Sequence, residues 1–204
     1  MIVEFPSALT LVTRIAWGQI RRDIEFESVF GSQVGEIDVP LWTALLTPAR
    51  FNRDQYAEWE SILLQLQGKQ NQLALWHLDR PAPRGTMRGS MVFNGAHARG
   101  ADTLNITATG QGGTTLLKGD MLGFGSGITQ QVIKIKAPAT ADGSGNITVT
   151  VEAQLRNDFA NGAAIVWDKP KALFRRKSSE MSMDHSRGGV DGTPLDLVEN
   201  WVPA

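Results

Sequence analysis

Residues 141–151 read Ala-Asp-Gly-Ser-Gly-Asn-Ile-Thr-Val-Thr-Val, a glycine-rich turn followed by a strictly alternating stretch. Apolar and polar residues that alternate with a period of two are typical of a β-strand with one buried face. The Asp-Gly-Ser-Gly run supplies turn residues directly before that strand. The same alternation occurs at 104–107 and 132–136, each next to a turn that contains glycine. This part of the chain is therefore predicted to be all-β.

Composition marks where that segment begins and ends. Residues 89–167 hold 13 of the 21 glycines but one of the nine prolines, so the stretch differs from its flanks. Pro81 and Pro83 precede it and Pro170 follows it, and a proline keeps its predecessor extended and interrupts strand pairing. About five short strands with no helix favour a small barrel of the OB or SH3-like kind. We predict that 89–167 is a separate domain.

The two flanks are predicted to form one discontinuous domain, 1–88 together with 168–204. The C-terminal flank is too short to bury a core by itself, and the N-terminal flank is its simplest partner. Alternation predicts strands within 15–30 and at 73–78. Residues 42–47, which end at Pro48, are a further strand candidate, and two more are expected at 172–174 and 179–184. This domain is therefore mostly β, and it carries one helix.

That helix is predicted at about residues 53–67. Asn52 stands at the N-cap with Gln55 three residues later, which is the capping-box spacing. The apolar residues Tyr56, Trp59, Leu63 and Leu66 fall on one stripe of the helix, which we expect to face the core.

Charge and residue content restrict the function classes. The chain of 204 residues has a net charge of −1 and no cysteine. Proteins that hold nucleic acid through its phosphates usually carry a basic excess, and thiol nucleophiles and cysteine-ligated metals need cysteine. The N-terminus lacks the signal-peptide pattern, and no apolar run is long enough to span a membrane. We expect no specific nucleic-acid binding and no membrane span.

Catalytic and metal-binding patterns are weak. The histidines His77, His97 and His185 show no metal-ligand spacing, and no serine occupies a nucleophile-elbow motif. Asp184, His185, Asp191 and Asp196 share one polar segment and are the remaining place for acid–base chemistry, although an interface role fits them better. We therefore expect no enzyme activity, no catalytic residues, no cofactor and no metal.

The candidate site is instead a protein interface. The discontinuous domain holds five of the six tryptophans, more apolar area than its small core requires. Short basic runs lie beside two of its strands and fit either exposed strand ends or ion pairs across an interface. The candidate interface residues are Trp17, Arg21, Arg22, Trp42, Arg175, Arg176 and Trp201.

Three motifs carry a resemblance to a known family. They are Arg80-Pro81-x-Pro83-Arg84-Gly85-Thr86-Met87-Arg88-Gly89, the Leu117-Lys118-Gly119-Asp120-Met121-Leu122 turn, and the Asp142-Gly143-Ser144-Gly145-Asn146 turn with its strand. In this order, after a β-rich N-terminal part and a helix, the chain resembles the distal tail proteins of long-tailed bacteriophages with non-contractile tails. The resemblance covers nearly the whole chain.

The resemblance implies a structural role. In such proteins a β-sandwich domain with a helix builds a ring, commonly a hexamer, and an inserted OB-like barrel faces outward. The ring would join the tail tube protein to the hub or fibre proteins and keep the DNA channel continuous. The location implied is the virion, at the tail tip, after assembly in the host cytoplasm.

Two other readings stay open. The barrel could be a binding module for glycan, such as host-surface saccharide, or for nucleic acid. Its few aromatic residues, Phe93, Phe124, Phe159 and Trp167, would then have to form a stacking platform. A cell-wall hydrolase would instead need two convergent carboxylates in a cleft.

Overall fold

The protein is mainly β, with one α-helix among the described residues. The computed structural model describes residues 1–6, 12–36, 39–48, 50–182, 184–186 and 189–201. The helix is α1 (Arg53–Leu66). The strands in chain order are β1 (Ile2–Glu4), β2 (Val12–Ile20), β3 (Asp23–Ser28), β4 (Gly31–Glu36), β5 (Leu41–Pro48), β6 (Arg50–Phe51), β7 (Gln72–Trp76), β8 (Met91–Phe93), β9 (Thr103–Ala108), β10 (Thr115–Leu116), β11 (Met121–Phe124), β12 (Gln131–Lys134), β13 (Ala139–Thr140), β14 (Asn146–Thr150), β15 (Ala164–Val166), β16 (Lys171–Arg176), β17 (Asp184–Ser186), β18 (Gly189–Asp191) and β19 (Leu195–Glu199).

The described residues divide into two compact units. The first contains Met1–Leu75 and Leu173–Asn200, and the second contains Trp76–Ala172 together with Trp201. The sequence places the boundaries after residues 88 and 167, whereas the second unit extends further at both ends. Segment 76–88 belongs to the second unit because its backbone is hydrogen-bonded there, as described below for Arg84 and Gly85.

The first unit is built on a six-stranded sheet in the order β1-β7-β16-β19-β5-β2. β1 and β7 run parallel, while β16–β19, β19–β5 and β5–β2 are antiparallel. Leucines of the inner strands are fully covered, among them Leu46, Leu73 and Leu197. A small sheet, β17-β18-β6, and the hairpin β3–β4 complete the unit.

Helix α1 begins and packs as its sequence predicts. The Asn52 side chain accepts hydrogen bonds from the Asp54 and Gln55 N–H groups, and the Gln55 side chain accepts from the Asn52 N–H. Trp59, Leu63 and Leu66 are buried, and the Trp59 ring lies 5.8 Å from that of Phe51. The helix contacts β1, β6 and β18, so its apolar stripe is part of the core. The capping box is confirmed, and so is the buried stripe for Trp59, Leu63 and Leu66. Tyr56 is half-buried instead, and its hydroxyl donates to Glu60 Oε1.

The second unit is a small filled barrel. Its six antiparallel strands follow the order β12-β11-β15-β8-β9-β14. A bridge between Ile135 and Val151 joins the first and last strands at one end. The interior is packed with aliphatic side chains and with three phenylalanine rings, Phe93, Phe124 and Phe159, whose centroids lie 5.1–6.0 Å apart.

The side chain of Gln131 connects β12 to residues 154–156, beyond the point where backbone pairing closes the barrel. Its side chain is fully buried; its Nε2 donates to the Gln154 carbonyl and its Oε1 accepts from the Arg156 N–H. The side-chain amide thus replaces a backbone pair between β12 and residues 154–156. A buried amide that is satisfied at both ends fixes the strand register without leaving a desolvated polar group.

Asp120 attaches segment 76–88 to the barrel. Its carboxylate is buried and accepts hydrogen bonds from the N–H groups of Arg84, Gly85 and Leu117, at 2.8, 3.0 and 2.7 Å. A Cβ on Gly85 would overlap the Thr115 carbonyl, so only glycine allows this close approach. The Gly119-Asp120 motif of the sequence is therefore a structural one.

Arg88 holds the end of the same segment. Its guanidinium donates to the carbonyls of Pro83, Gly85 and Met87, and it stacks over the Trp167 ring at 5.0 Å. The Trp167 Nε1 donates to the Gly89 carbonyl. The proline- and arginine-rich motif thus forms a tightly bonded strap rather than a linker.

Two predictions need correction. The barrel has six strands rather than about five, because β8 (Met91–Phe93) is too short to show an alternating pattern. The strand predicted over 179–184 is wrong for residues 179–182, where none forms. The polar groups there serve turns instead: the Glu180 N–H bonds Ser178 Oγ, and its carbonyl accepts from Arg176 Nη2.

The Asp120 contacts predict how two fragments of the chain differ. Fragment 76–172 should fold alone with dispersed amide resonances, and fragment 89–167 should have a lower free energy of unfolding because it lacks the Arg84 and Gly85 donors. Asp120→Ala should cost about 2–5 kcal/mol in the longer fragment, since two or three charge-assisted bonds are lost. In the shorter fragment the same substitution should lower the free energy of unfolding by clearly less. Equal effects in urea titrations of both fragments would contradict this role.

Trp59 provides a test of the helix. Trp59→Ala should lower the free energy of unfolding by about 3–5 kcal/mol, because it empties a fully buried position. Leu64→Ala, on the exposed side of the same helix, is the matched control and should change it by less than about 1 kcal/mol. Urea or thermal unfolding of the full chain measures both, and equal losses in the two variants would show that the helix packs differently.

Candidate interaction surface

Two of the predicted interface tryptophans lie side by side in the first unit. Trp17 on β2 is half-buried, with its ring 6.0 Å from Trp42 and 5.2 Å from Phe174. Trp42 is only 5% exposed, and its backbone N–H donates to Glu199 Oε2 at 2.9 Å. Trp42 is therefore core, and its prediction as a partly covered interface residue is wrong. The strand predicted at residues 42–47 gave no sign of which side chains would be covered.

The basic run on β16 splits between two faces of its strand. Arg175 is exposed, whereas Arg176 is 5% exposed and donates from Nη2 to the Glu180 carbonyl. Burial lowers the pKa of Arg176. Neighbouring residues of a strand point to opposite faces, so one of the pair had to turn inward. Arg176 is thus unavailable as an exposed interface residue, and Arg175 stays a candidate.

Arg21 and Arg22 are exposed and connect β2 to the hairpin β3–β4. This hairpin is not among the interface candidates predicted from the sequence. The hairpin pairs β3 with β4 from Asp23↔Glu36 to Ser28↔Gly31. Every residue of β3 is exposed. At the tip, Val29 is 97% and Phe30 100% exposed, and Phe26 on β3 is 62% exposed. We call β3, β4 and their turn the exposed hairpin.

The sequence signal for the exposed hairpin was misread. Ile24, Phe26 and Phe30 alternate with polar residues, which predicts a strand with one buried face. The strand is present, but among the described residues its sheet has two strands only, β3 and β4. A two-stranded hairpin is marginally stable in water without a surface to pack on. This region is therefore the strongest candidate for an interface.

Trp201 belongs to the second unit. It is half-buried, and the guanidinium carbons of Arg99 and Arg156 lie 5.5 and 6.0 Å from its ring centroid. Arg156 is itself buried. The tryptophan is thus only partly covered, as expected, and its ring is held between two cations.

The barrel aromatics do not form a stacking platform. Phe93, Phe124 and Phe159 are core residues, and Trp167 is covered on one side by Arg88. A glycan or nucleic-acid site based on stacking would need exposed rings, and these four do not supply an open set.

His77 and His97, the histidines whose side chains the structure describes, have different surroundings. His97 is buried; its Nε2 accepts from the Asn105 N–H at 3.2 Å, and its ring lies 5.1 Å from Phe93. His77 is half-buried just after β7, and burial lowers its pKa, assisted by the nearby Arg80 charge. The part of the chain that the structure describes contains no group of three potential metal-ligating residues.

The polar segment 184–196 is described in part. Asp184 pairs with Asp191 in the β17–β18 register, while the side chains of Asp184, His185 and Asp191 lie outside the described residues. Asp196 is exposed and forms an ion pair with Lys177 at 2.8 Å. α1, at 14 residues, is shorter than a bilayer crossing requires, and no helix in the described ranges could make one.

Comparison with known proteins adds no relative. No protein-family model matches the chain, and no curated protein matches it.

His77 predicts a pH dependence of stability. Its folded pKa lies below the ordinary value of 6.5, so the unfolded chain binds the proton more readily. The contribution of neutral His77 to the free energy of unfolding is fully present above pH 6.5. It is lost as the pH falls below that value and through the folded pKa. Urea unfolding at about pH 7 and pH 5.5 should show a smaller decline for His77→Gln than for the unaltered chain. Identical declines would show that His77 does not contribute.

Proposed function

We propose that the chain is a structural protein of a bacteriophage tail tip and assembles into a ring of six copies. The ring joins the tail tube protein to the hub or fibre proteins and keeps the DNA channel continuous. Two kinds of observation support this proposal. One is the order of motifs that resembles distal tail proteins, and the other is a surface of the first unit that suits a second copy of the chain.

The exposed hairpin is the observation that carries the proposal. Monomeric proteins rarely display contiguous apolar area without a partner. Here Phe26 is 62% exposed on one face of the hairpin, together with Ile24, and Val29 and Phe30 at its tip are almost fully exposed. Their burial against a neighbour would stabilise both the contact and the hairpin, at about 25 cal/mol per Å² of apolar area removed from water.

The edge of the main sheet offers a second contact. β2 is nine residues long and, within the described residues, pairs with β5 alone. A long unpaired edge is a template for another strand. Arg21 and Arg22 join this edge strand to the exposed hairpin, so both features lie on one continuous piece of chain.

Ring closure follows from the type of contact. If the hairpin of one copy covers a different surface on the next, the contact is heterologous, and it closes when its rotation divides the circle. A hairpin that packs on the identical hairpin would give a two-fold dimer instead. Asp23, Glu25 and Glu27 alternate with Ile24 and Phe26 on β3, so the carboxylates line one face of the strand and the apolar side chains line the other. Like charges oppose self-pairing through the acidic face only. A ring requires the apolar face and the tip to cover a different surface of the next copy.

Native mass spectrometry and negative-stain electron microscopy of the full chain test the proposal. We expect a closed ring with the mass of six chains, in exchange with free subunits. The double variant Phe26→Ser, Phe30→Ser should shift the population to monomer by at least about tenfold, while its folding is unchanged because neither side chain is in the core. Leu64→Ser, at an exposed leucine on α1, is the control and should leave the ring intact.

Two results would overturn the assignment. An unaltered chain that stays monomeric at high concentration would contradict self-assembly. A double variant that forms rings as readily as the unaltered chain would remove the exposed hairpin from the interface.

A further inference from the structure

Two asparagines of the second unit stand directly before a glycine. They are Asn94 and Asn161, and the other six of the chain's eight asparagines precede different residues. In an Asn-Gly pair the asparagine side chain reacts readily with the following backbone nitrogen, because glycine has no side chain to hinder the approach. Both asparagines are exposed, so water reaches them.

The reaction of such a pair is deamidation through a cyclic imide. The backbone nitrogen of the glycine loses its proton and attacks the side-chain carbonyl carbon of the asparagine. The new carbon–nitrogen bond closes a succinimide ring, and ammonia leaves. Water then opens the ring at either carbonyl and gives aspartate or isoaspartate. The net change is one water consumed and one ammonia released.

The fold requires glycine at both positions, so it retains both reactive pairs. Gly95 has a φ of +93° and Gly162 a φ of +80°, in the left-handed region that other residues rarely adopt. Gly95 follows the end of β8, and Gly162 precedes the start of β15. Because β8 and β15 are antiparallel neighbours, the two turns lie side by side.

The backbone protects Asn161. The nitrogen that would attack it belongs to Gly162, whose N–H donates to the Phe93 carbonyl at 2.9 Å. The Phe93 N–H in turn donates to the Ala163 carbonyl at 3.0 Å, and Phe93 is a core residue with 1% exposure. The Gly162 nitrogen is therefore released only when the strands separate at this point.

The Gly95 N–H is held by a side chain instead. It donates to Asn161 Oδ1 at 2.8 Å, and Asn161 lies on the surface. To attack Asn94, the Gly95 nitrogen must leave this oxygen and turn toward the Asn94 side-chain carbonyl. The bond also opposes loss of the proton, because the acceptor stabilises the protonated form of the nitrogen.

We propose that Asn94 is a deamidation site of this chain, and that the Asn161 side chain slows the reaction by holding the Gly95 N–H. Water is the co-reactant, and no enzyme is required. The inference does not depend on ring assembly, since all the residues involved belong to the second unit.

The products would alter the barrel at the end of β8. The Asn94 N–H donates to the Asn105 carbonyl at 2.9 Å, and its side-chain Nδ2 donates to Asn146 Oδ1 at 3.4 Å. Aspartate and isoaspartate both lose the side-chain donor and place a carboxylate there. Isoaspartate also lengthens the backbone by one carbon directly after the bond to Asn105.

Peptide mapping by mass spectrometry of the full chain, aged in a mildly alkaline buffer, measures both sites at once. Trypsin places them in separate peptides, 89–99 and 157–171. In the folded chain we expect Asn94 to deamidate several-fold faster than Asn161. In guanidinium chloride, which releases both glycine N–H groups, the two rates should rise and become similar.

Two substitutions of Asn161 separate the acceptor from the rest of the side chain. Asn161→Ala should speed deamidation of Asn94 by about three- to tenfold, the effect of losing one ordinary hydrogen bond. Asn161→Asp keeps the acceptor and gives it a charge, so Asn94 should react no faster than in the unaltered chain.

Asp158→Ala is the matched control. Asp158 is also exposed and accepts from a backbone N–H of a neighbouring turn, that of Arg99, at 2.7 Å. Its removal loosens the same region without touching Gly95, so the rate at Asn94 should stay unchanged.

Any of four results would contradict the proposal. An unchanged rate in Asn161→Ala would show that the side chain does not slow the reaction. Equal acceleration by Asp158→Ala would assign the effect to general loosening of the turns. Faster reaction in Asn161→Asp would exclude the acceptor as the cause. Equal rates at Asn94 and Asn161 in the folded chain would show that the two glycine N–H groups are held equally.

Discussion

The buried carboxylate of Asp120 is the constraint on which the second unit depends. It is 3% exposed and accepts from three backbone N–H groups, two of them on a segment some 35 residues away. Each of those N–H groups would otherwise need water or another acceptor. Since the Asp120 backbone also pairs with Ile135, one residue connects the strap, the turn and the barrel wall. Gly85 of the strap lies so close to the Thr115 carbonyl that no Cβ would fit there.

Elsewhere in the fold, other buried polar side chains also hold neighbouring segments together by hydrogen bonds. Gln131 closes the barrel with its amide, Glu199 accepts from the Trp42 N–H in the main sheet, and Asn71 bonds both the chain N-terminus and the Gln65 carbonyl. Each serves backbone groups at places where regular pairing ends. Small β domains have many such ends, and these satisfied polar groups hold the strand register there.

The sequence predicted most of the elements whose signal is local. Alternation located β9, β12 and β14, and the Asn52–Gln55 pair located the start of α1. Strands of two or three residues, such as β8 and β13, could not be predicted because they contain too few residues for a pattern. The strap was predicted to be a domain boundary because prolines disfavour strand pairing. Its backbone is instead hydrogen-bonded by the side chains of Asp120, which is distant in sequence, and Arg88. A local sequence pattern does not show such partners.

The candidate surface was less predictable, because alternation shows which residues share a face and not what covers that face. Trp42 and Phe26 both lie in predicted strands; the first is core and the second is open to solvent. The difference arises from sheet order: β5 has a neighbour on each side and lies under other elements, whereas β3 has β4 alone. Sheet order depends on contacts between distant segments, which a single sequence does not display.

The exposed hairpin offers hydrocarbon, whose burial is favourable in proportion to the apolar area removed from water, as a permanent assembly contact requires. Val29 and Phe30 at its tip are almost fully exposed, so nearly all of their area is available to a neighbour. Because β3 and β4 pair only with each other among the described residues, a neighbour that covers them would stabilise the hairpin as well as the contact. Assembly and the local stability of this element would thus be coupled.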